Sequence, residues 1–544
     1  MNKGSTALEI TAAAQPRSPL RQSTLTFGAI VLVGILFGLP SLPEPFGVDQ
    51  GIYGYIGERL LEGAVDHRDV FDHKPLGIHL AYAVAFALFG HQMWSVRLLD
   101  LLAAIATAWG LCTFGRRFVG VRMGLIAGLL YVAYYEGAFD WMSRAQPETW
   151  VNLAFVAALA LVAGPRSQPR TMAAGVLLGV GFWSKPTILL LAPIWIFVLA
   201  DRAIREPDDR RKRFQFDLLV AGAGALAIGM VVVVYYAANG ALRDLYEAVF
   251  LFNVRYHNRF QLLREWRQTG AALLYIIRPL YAAALLALLA MAIAVMQKEW
   301  RAVGLGLAWL VLAFATVFWQ AGFARSHYVL VLAPMIFLAS LGLDGAIKML
   351  TTLSRDDTYR RVASVCVTSV CCCLILVNLA GLSAGRWEKF VMLLNSRLPR
   401  EKYHATFWLK GAPGRSGYSF QELREIAAYL EEQTTPEQTV YVWGFRPLIA
   451  YLAHRHMPTR FIFRYPLTRA NNPGWWAEVL SDLDRSPPVF FVVVLDDRGR
   501  YQPETSKEAL ESNAALSLFL HSRYELDRTM ADFEIYRLRA NKQQ

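Results

Sequence analysis

The segment LTFGAIVLVGILFGLPSLPEPFGVDQGIYGYIGERLLEGAVDHRDVFDHKP, residues 25–75, joins a hydrophobic run to an acidic loop. The run Leu25–Leu42 is long enough to cross a bilayer, whose core takes about 17–25 apolar residues in a helix. The loop that follows, Glu44–Pro75, ends in a Lys-Pro pair, after which the chain turns apolar again. Carboxylates beside hydrocarbon are energetically unfavourable and are mostly kept for function, so this loop is the candidate site. Its acidic residues include Asp49, Glu58, Glu62, Asp66, Asp69 and Asp72.

The composition is typical of a polytopic membrane protein. Of the 544 residues, 55% are hydrophobic and 18% are charged, and a soluble domain of that composition would expose too much apolar surface. The net charge of +12 does not indicate a nucleic-acid partner, because Arg and Lys lie in short clusters between apolar runs. All five cysteines lie in apolar runs, so we expect no disulfide framework.

The apolar runs predict an α-helical membrane protein with about eleven to thirteen transmembrane helices. The runs that follow Leu25–Leu42 are Val96–Phe114, Met123–Tyr135, Trp150–Ala163, Thr171–Trp183, Thr187–Ala200, Leu218–Ala238, Ala271–Met296, Ala302–Trp319, Tyr328–Leu343 and Val362–Leu382.

Clusters of basic residues orient these spans, because Lys and Arg are concentrated on the cytoplasmic side of a membrane. With the runs above, every cluster is cytoplasmic, and so is the N-terminal tail, residues 1–24. The acidic first loop and the C-terminal third then lie outside. The clusters are Arg116 to Arg122, Arg166 to Arg170, Arg202 to Arg213, Lys298 to Arg301 and Arg355 to Arg361.

One segment leaves the topology open. Leu76–Phe89 is apolar but only about fourteen residues long, which is short for a span. If it crosses the membrane, every later loop changes side and the basic clusters become external. The charge pattern favours a re-entrant or surface helix, and a crossing is the alternative.

The composition changes at Ser383, where long apolar runs stop. We therefore divide the chain into the tail, a membrane domain over residues 25–382 and an extracytoplasmic domain over residues 383–544. Predicted strands and helices alternate in the last part, which indicates a small α/β domain. The strands are Thr439–Trp443, Val489–Leu495 and Phe533–Leu538, and the helices are Phe420–Gln433, Pro447–His454 and Ser506–Leu520.

The first loop resembles that of the GT-C glycosyltransferases, most of all the protein O-mannosyltransferase and lipid A aminoarabinose transferase families. The matching elements are Asp49, Tyr53, Gly63, the acidic pair Asp69/Asp72, and Lys74-Pro75. The resemblance implies an inverting transferase that takes a sugar from a polyprenyl-phosphate donor. The acceptor would be a lipid, glycan or protein of the envelope, on the outer face of a bacterial inner membrane.

The resemblance also assigns roles to loop residues. Asp49 would be the general base, and Lys74 would bind the lipid phosphate, although His73 stands where relatives have an acid. Tyr53 and the acids Asp69 and Asp72 would orient donor or acceptor. Simpler readings are a helix N-cap for Asp49, a lysine that extends to the lipid headgroups for Lys74, and solvated loop acids for the other two.

Further cations of the outer side are candidates for phosphate binding. Arg255, His257 and Arg259 lie among aromatic residues in one loop, and the alternative is an exposed basic loop at lipid headgroups. Arg325 and Tyr328 precede another span, and Arg97 begins the second. Interfacial Tyr and Arg side chains are common in membrane proteins without such a role.

No cofactor is expected, and no residue is assigned to a metal. Asp66 to Asp69 and Asp72-His73 leave a divalent cation open, although basic residues stand among them. A non-enzymatic transporter or lipid flippase with an interaction domain is the alternative function. Transporters keep charges at the midplane on broken helices within repeats, whereas here the acids crowd an outer loop.

Overall fold

The computed structural model describes residues 19–205, 209–256, 274, 277–320, 323–352, 358–411, 417–498 and 503–540. Long helices make up most of the described chain as far as Leu394, and a small sheet follows them. The first helices are α1 Pro19–Gly38, α2 Val48–Leu61, α3 Leu76–Phe89, α4 Met93–Phe118, α5 Val121–Ala138, α6 Pro147–Val162, α7 Gln168–Ser184, α8 Ala192–Ile204 and α9 Arg210–Ala238.

The helical part continues through a short broken helix to four more long ones. The broken helix, α10, comprises Leu242–Leu245, a π-helical turn Tyr246–Leu251 and Phe252–Tyr256. The long helices are α11 Tyr281–Gln297, α12 Arg301–Gln320, α13 Val329–Thr352 and α14 Thr358–Leu394.

The eleven apolar runs that the sequence marked as spans fall on helices, and the first residues of the run Ala271–Met296 lie outside the described residues. Seven of these helices are long and apolar enough to cross a membrane, and α6 and α11 are shorter apolar helices. The fold class predicted from the sequence, a polytopic helical membrane protein, is therefore confirmed.

Helix α3 begins and ends at the same end of the helix bundle. Near the start of the next helix, α4, the guanidinium of Arg97 donates to the carbonyls of Glu44 (3.3 Å) and Trp141 (2.9 Å). The start of α4 therefore lies beside the first loop, from which α3 also begins. This geometry agrees with the prediction that α3 does not cross the membrane. The topology of the chain in a membrane stays a prediction.

The C-terminal part is an α/β domain, as predicted. Its mixed sheet has the order β3-β4-β6-β5, in which only the β3–β4 pair is parallel. The strands are β1 Trp408–Lys410, β2 Tyr418–Ser419, β3 Val440–Trp443, β4 Phe490–Val494, β5 Tyr524–Met530 and β6 Phe533–Leu538. The helices are α15 Arg400–His404, α16 Phe420–Glu432, α17 Leu448–Leu452, α18 Tyr465–Ala470, α19 Pro473–Arg485, α20 Ser506–Ser512 and α21 Ala514–Arg523.

Three details differ from the sequence-based expectation. Helix α14 continues to Leu394, so the change of composition at Ser383 falls inside a helix. The helix expected over Ser506–Leu520 is two helices, because the Asn513 side chain accepts from the Leu516 amide (3.0 Å) and caps α21. Helix α19 and strand β5 were not predicted, although Trp475, Val479 and Leu483 recur at helical spacing in α19.

The α/β domain packs directly on the first loop. Gly51 of α2 lies so close to Leu448 of α17 that a Cβ atom at Gly51 would be 2.6 Å from the leucine Cβ. The Tyr55 hydroxyl accepts from the Met457 amide (2.8 Å), and the Phe71 amide donates to the Arg460 carbonyl (2.8 Å). The candidate loop is thus held between the membrane helices and the soluble domain.

A buried ion cluster joins the first loop to three later segments. The Arg144 guanidinium bridges the carboxylates of Glu44 and Glu136, and all three side chains are buried. Arg386 of α14 adds a second cation, 3.0 Å from Glu44. Removing one partner of a buried ion pair leaves an uncompensated charge, which destabilises by about 3–5 kcal/mol.

We therefore expect Arg144→Met to lower the free energy of unfolding by about 3–5 kcal/mol, measured as a large drop in the midpoint of thermal unfolding in detergent. The matched control is Arg243→Ala, because Arg243 forms an exposed pair with Glu247 and exposed pairs contribute little. Equal midpoints for the two variants would contradict the assignment of the Arg144 cluster as structural.

Candidate active site

Asp49 lies in the first turn of α2 and does not cap it. The N-cap is Gly47, whose amide donates to the Gln50 side chain (2.6 Å). Gln50 in turn donates to the carbonyls of Trp141 (2.9 Å) and Arg144 (2.5 Å), which fixes this end of the helix. The interpretation of Asp49 as a helix cap is therefore wrong, and its carboxylate is available for another role.

The Asp49 carboxylate is half-buried, and within the described residues it has no hydrogen-bond or ion-pair partner. Burial raises its pKa above the usual value for an aspartate. Lys74 and Lys185 oppose this rise, whereas the neighbouring acids Asp72 and Glu148 add to it. A carboxylate with a raised pKa accepts a proton from a hydroxyl more readily, which is what a general base requires.

Lys74 is one of the charged groups near the Asp49 carboxylate. Its ammonium is 3.8 Å from the Asp72 carboxylate and 5.2 Å from the centre of the Tyr53 ring. Burial favours the neutral form of Asp72, but Lys74, His73 and His79 together hold its pKa well below the usual range. The structure thus brings together four predicted site residues, Asp49, Tyr53, Asp72 and Lys74. Tyr53 also points its hydroxyl at Gln146 (3.5 Å).

A buried hydrogen-bond network fixes Asp72 and Lys74 from behind. The His79 ring contacts the carboxylates of Asp66 (2.7 Å) and Asp72 (3.1 Å), so both ring nitrogens donate and the ring is an imidazolium. His67 contacts the Tyr236 hydroxyl (2.7 Å) and the Lys74 carbonyl (2.8 Å). All four ring nitrogens have protein partners, and Asp66, His67 and His79 are fully buried. These groups position the site and are removed from contact with substrate.

A second lysine, Lys185, lies near Lys74 and also has an acidic partner. The Lys185 ammonium pairs with the Glu148 carboxylate, and His327 is 4.0 Å from the same acid. Burial lowers the pKa of Lys185, and Glu148 opposes that effect. The sequence assigned no role to Lys185, although it repeats the Lys-Pro pair of Lys74-Pro75. The repeated Lys-Pro pair is the sequence feature that could have identified Lys185 as a site residue.

Both Lys-Pro pairs line one cavity of about 280 Å³. One part of its wall is basic, with His73, Lys74, Lys185 and His327. The other part is apolar, and its side chains Phe250, Val254 and Trp319 are 38%, 66% and 53% exposed. The remaining lining residues are Pro75, Pro186, Thr187, Val249, Asn253 and Gln320. Such a wall suits an anionic head group with an apolar chain attached.

Among the predicted site residues that the structure describes, only Lys74 lines this cavity, and Asp49, Tyr53 and Asp72 lie beside that lysine. Arg97 is buried and donates to backbone carbonyls of the first loop and to Gln50 (3.0 Å), so it is a structural residue and its expected role with phosphate is wrong. Asp69 is exposed, pairs with Arg68 (2.8 Å) and accepts from the Val65 amide (2.7 Å), so it closes a turn of the loop.

The other residues predicted to bind phosphate lie at different places in the structure. Arg325 is exposed and pairs with Asp140 (2.6 Å), and Tyr328 is buried at the start of α13, so neither lines the cavity. Arg255 is exposed at the end of α10, next to the lining residues Asn253 and Val254. His257 and Arg259 lie outside the described residues.

Comparisons with known proteins show what the chain is similar to. The family model for dolichyl-phosphate-mannose-protein mannosyltransferase matches residues 73–237, which begin at His73 and include Lys74, Glu148 and Lys185. No curated protein matches the chain.

Solved structures resemble the chain over nearly its whole length. The lipid A aminoarabinose transferase ArnT from Cupriavidus metallidurans in its apo state is 14% identical, with a TM-score of 0.56 over 95% of this chain and 98% of that one. The same protein bound to undecaprenyl phosphate is also 14% identical, with a TM-score of 0.55 over 96% and 99%. The apo oligosaccharyltransferase from Archaeoglobus fulgidus is 11% identical, with a TM-score of 0.48 over 88% and 69%. The chain has the fold of the GT-C glycosyltransferases and resembles the protein O-mannosyltransferase and lipid A aminoarabinose transferase families.

Proposed function

We propose that this protein is an inverting glycosyltransferase that takes a sugar from a polyprenyl-phosphate donor and glycosylates an envelope acceptor on the outer face of a bacterial inner membrane. The observation that carries the proposal is the Asp49 carboxylate, which has no ion-pair partner among the described residues and lies beside the two lysines that line the cavity. The family model and the ArnT structures, one of them bound to undecaprenyl phosphate, support the choice of donor.

The proposed reaction is a single displacement at the anomeric carbon of the sugar. The acceptor hydroxyl oxygen attacks that carbon as its proton passes to the Asp49 carboxylate. The bond between the carbon and the phosphate oxygen breaks, and the phosphate leaves with the electron pair. The configuration is inverted because the attack and the departure take place on opposite faces of the sugar.

Lys74 and Lys185 stabilise the leaving phosphate, which gains a negative charge as the bond breaks. Charge-assisted hydrogen bonds from fixed cations are strong in a site that excludes water. The exposed Phe250, Val254 and Trp319 extend the cavity wall with apolar surface, where the first isoprene units of the donor would pack. Tyr53 supports Lys74 through its ring.

The one-sided placement of these groups supports transfer over transport. Asp49, Lys74, Glu148 and Lys185 interact at one end of the helix bundle, beside the α/β domain. A transporter needs a site near the midplane that opens to both sides in turn. The charged groups of this cavity instead lie on loops and helix ends.

Removing the base should abolish the reaction. We expect Asp49→Asn to lower the transfer rate by about 10²–10⁴-fold, the usual contribution of a general base, while the protein stays folded and inserted. Mass spectrometry of envelope lipids and glycans from a deletion strain reports the product. The matched control is Glu62→Gln, directly after the end of the same helix, which should restore the product in that strain. A product restored by Asp49→Asn would refute the assignment of the base.

The two lysines should hold the lipid phosphate. We expect Lys74→Ala and Lys185→Ala each to raise the Kd for undecaprenyl phosphate by about 10–150-fold, which corresponds to a lost hydrogen bond to a charged group of about 1.5–3 kcal/mol. Titration of the purified protein in detergent measures this. Lys348→Ala, which removes a lysine paired with Asp344 on α13, is the control and should leave Kd unchanged. Variants that bind as tightly as the wild type would exclude these lysines from the phosphate site.

The pH dependence should respond to neighbouring charges with opposite signs. Asp49 acts in its ionised form, so kcat/KM rises with pH through its pKa. Glu148 raises the pKa of Asp49 and Lys185 lowers it. We therefore expect Glu148→Gln to move the acidic limb of the pH–rate profile to lower pH, and Lys185→Met to move it to higher pH. Shifts in the same direction, or none, would show that the limb belongs to another group.

A further inference from the structure

A second cluster of ligating side chains lies where the first loop meets the α/β domain. Glu58 near the end of α2, His91 in the turn between α3 and α4, and His454 after α17 each offer one ligand atom, and these atoms all lie within 4.8 Å of one another. Two imidazoles and one carboxylate form a donor set that suits zinc. The cluster shares no residue with the candidate active site.

The distance between Glu58 and His91 fits two ligands of one metal ion better than a direct hydrogen bond. The Glu58 carboxylate oxygen is 3.5 Å from Nε2 of His91. This is long for a hydrogen bond, but two atoms that each lie about 2.0–2.1 Å from a tetrahedral zinc are separated by roughly 3.4 Å. Nε2 of His91 is buried and has no hydrogen-bond partner in the described part of the chain. A buried polar atom in that position requires an explanation.

The backbone presents these side chains from rigid turns. His91 follows Gly90, whose φ of 91° only glycine adopts readily, and the Gln92 amide closes the turn on the Gly90 carbonyl (2.9 Å). His454 has a φ of 50°, in the left-handed region. The Phe86 and Tyr451 rings pack edge-on against the His91 ring, with centroids 4.7 Å and 5.4 Å away. Ligands held in this way are preorganised for an ion.

We propose that Glu58, His91 and His454 bind a structural zinc ion, with a fourth position open to water or to a nearby side chain. The ion joins the first loop, the α3–α4 turn and the α/β domain. Glu58 is nine residues from Asp49 on the same helix, about 13.5 Å along its axis. The ion therefore fixes the soluble domain against the helix that carries the proposed base. This site does not depend on the proposed transferase activity.

The test is zinc binding by the full-length protein in detergent. After treatment with a chelator and addition of zinc chloride, we expect about one zinc ion per chain by elemental analysis after gel filtration, and a higher midpoint of thermal unfolding with zinc than without it. The variants His91→Ala and His454→Ala should lose the ion. The variant Glu58→Gln should bind zinc with an affinity lower by tenfold or more. His521→Ala, whose ring contacts Tyr536 in the α/β domain, is the control and should keep the ion.

Two outcomes would overturn the proposal. One is a wild-type protein that contains no more zinc than the gel-filtration buffer. The other is retention of the ion by both His91→Ala and His454→Ala, which would place it elsewhere. The Glu58→Gln variant preserves shape and removes only the charge, so loss of zinc in that variant cannot be ascribed to unfolding when its gel-filtration profile matches that of the wild type.

Discussion

The site depends on a carboxylate that no cation of the described residues pairs with directly. Asp49 lies among two lysines, yet each lysine has a carboxylate of its own, Asp72 for Lys74 and Glu148 for Lys185. A direct ion pair with either lysine would lower the pKa of Asp49 and weaken it as a base. Each lysine instead pairs with its own acid, and burial keeps the pKa of Asp49 raised. One arrangement thus provides both a base and a binding site for an anion.

Keeping these charges in place requires support from outside the cavity. The His79 imidazolium lies between the carboxylates of Asp66 and Asp72, and His67 holds the Lys74 carbonyl. The soluble domain reaches the same loop, since Arg460 donates to the His67 carbonyl (3.2 Å). Loops are otherwise the least stable parts of a protein. Here the loop is buried between two layers, so its side chains keep one arrangement.

The sequence predicted the parts of this design that are local. Apolar runs located the helices of the bundle, and the first loop contained both Asp49 and Lys74. The sequence pattern could not predict ion pairs between residues that are far apart in the chain. Glu148 and Lys185 are 37 positions apart, and Asp49 lies on a different helix from Glu148. Arg97 was misread for a related reason. Its partners are backbone carbonyls, which a sequence pattern does not reveal, so it resembled a cation available to lipid.

The short helix α3 shows how the bundle and the soluble domain are linked. Its 14 residues give a length of about 21 Å, less than the ~30 Å of a hydrocarbon core. Its first turn supplies His79 to the network beneath Lys74, and its last turn places Phe86 against Tyr451 of the soluble domain (stacked, 6.0 Å). Helix α2 carries Asp49 at one end and also contacts the soluble domain, through Gly51 against Leu448 and Tyr55 against Met457. A displacement of the soluble domain would therefore move both helices, and with them the base and the support of the lysine that faces it.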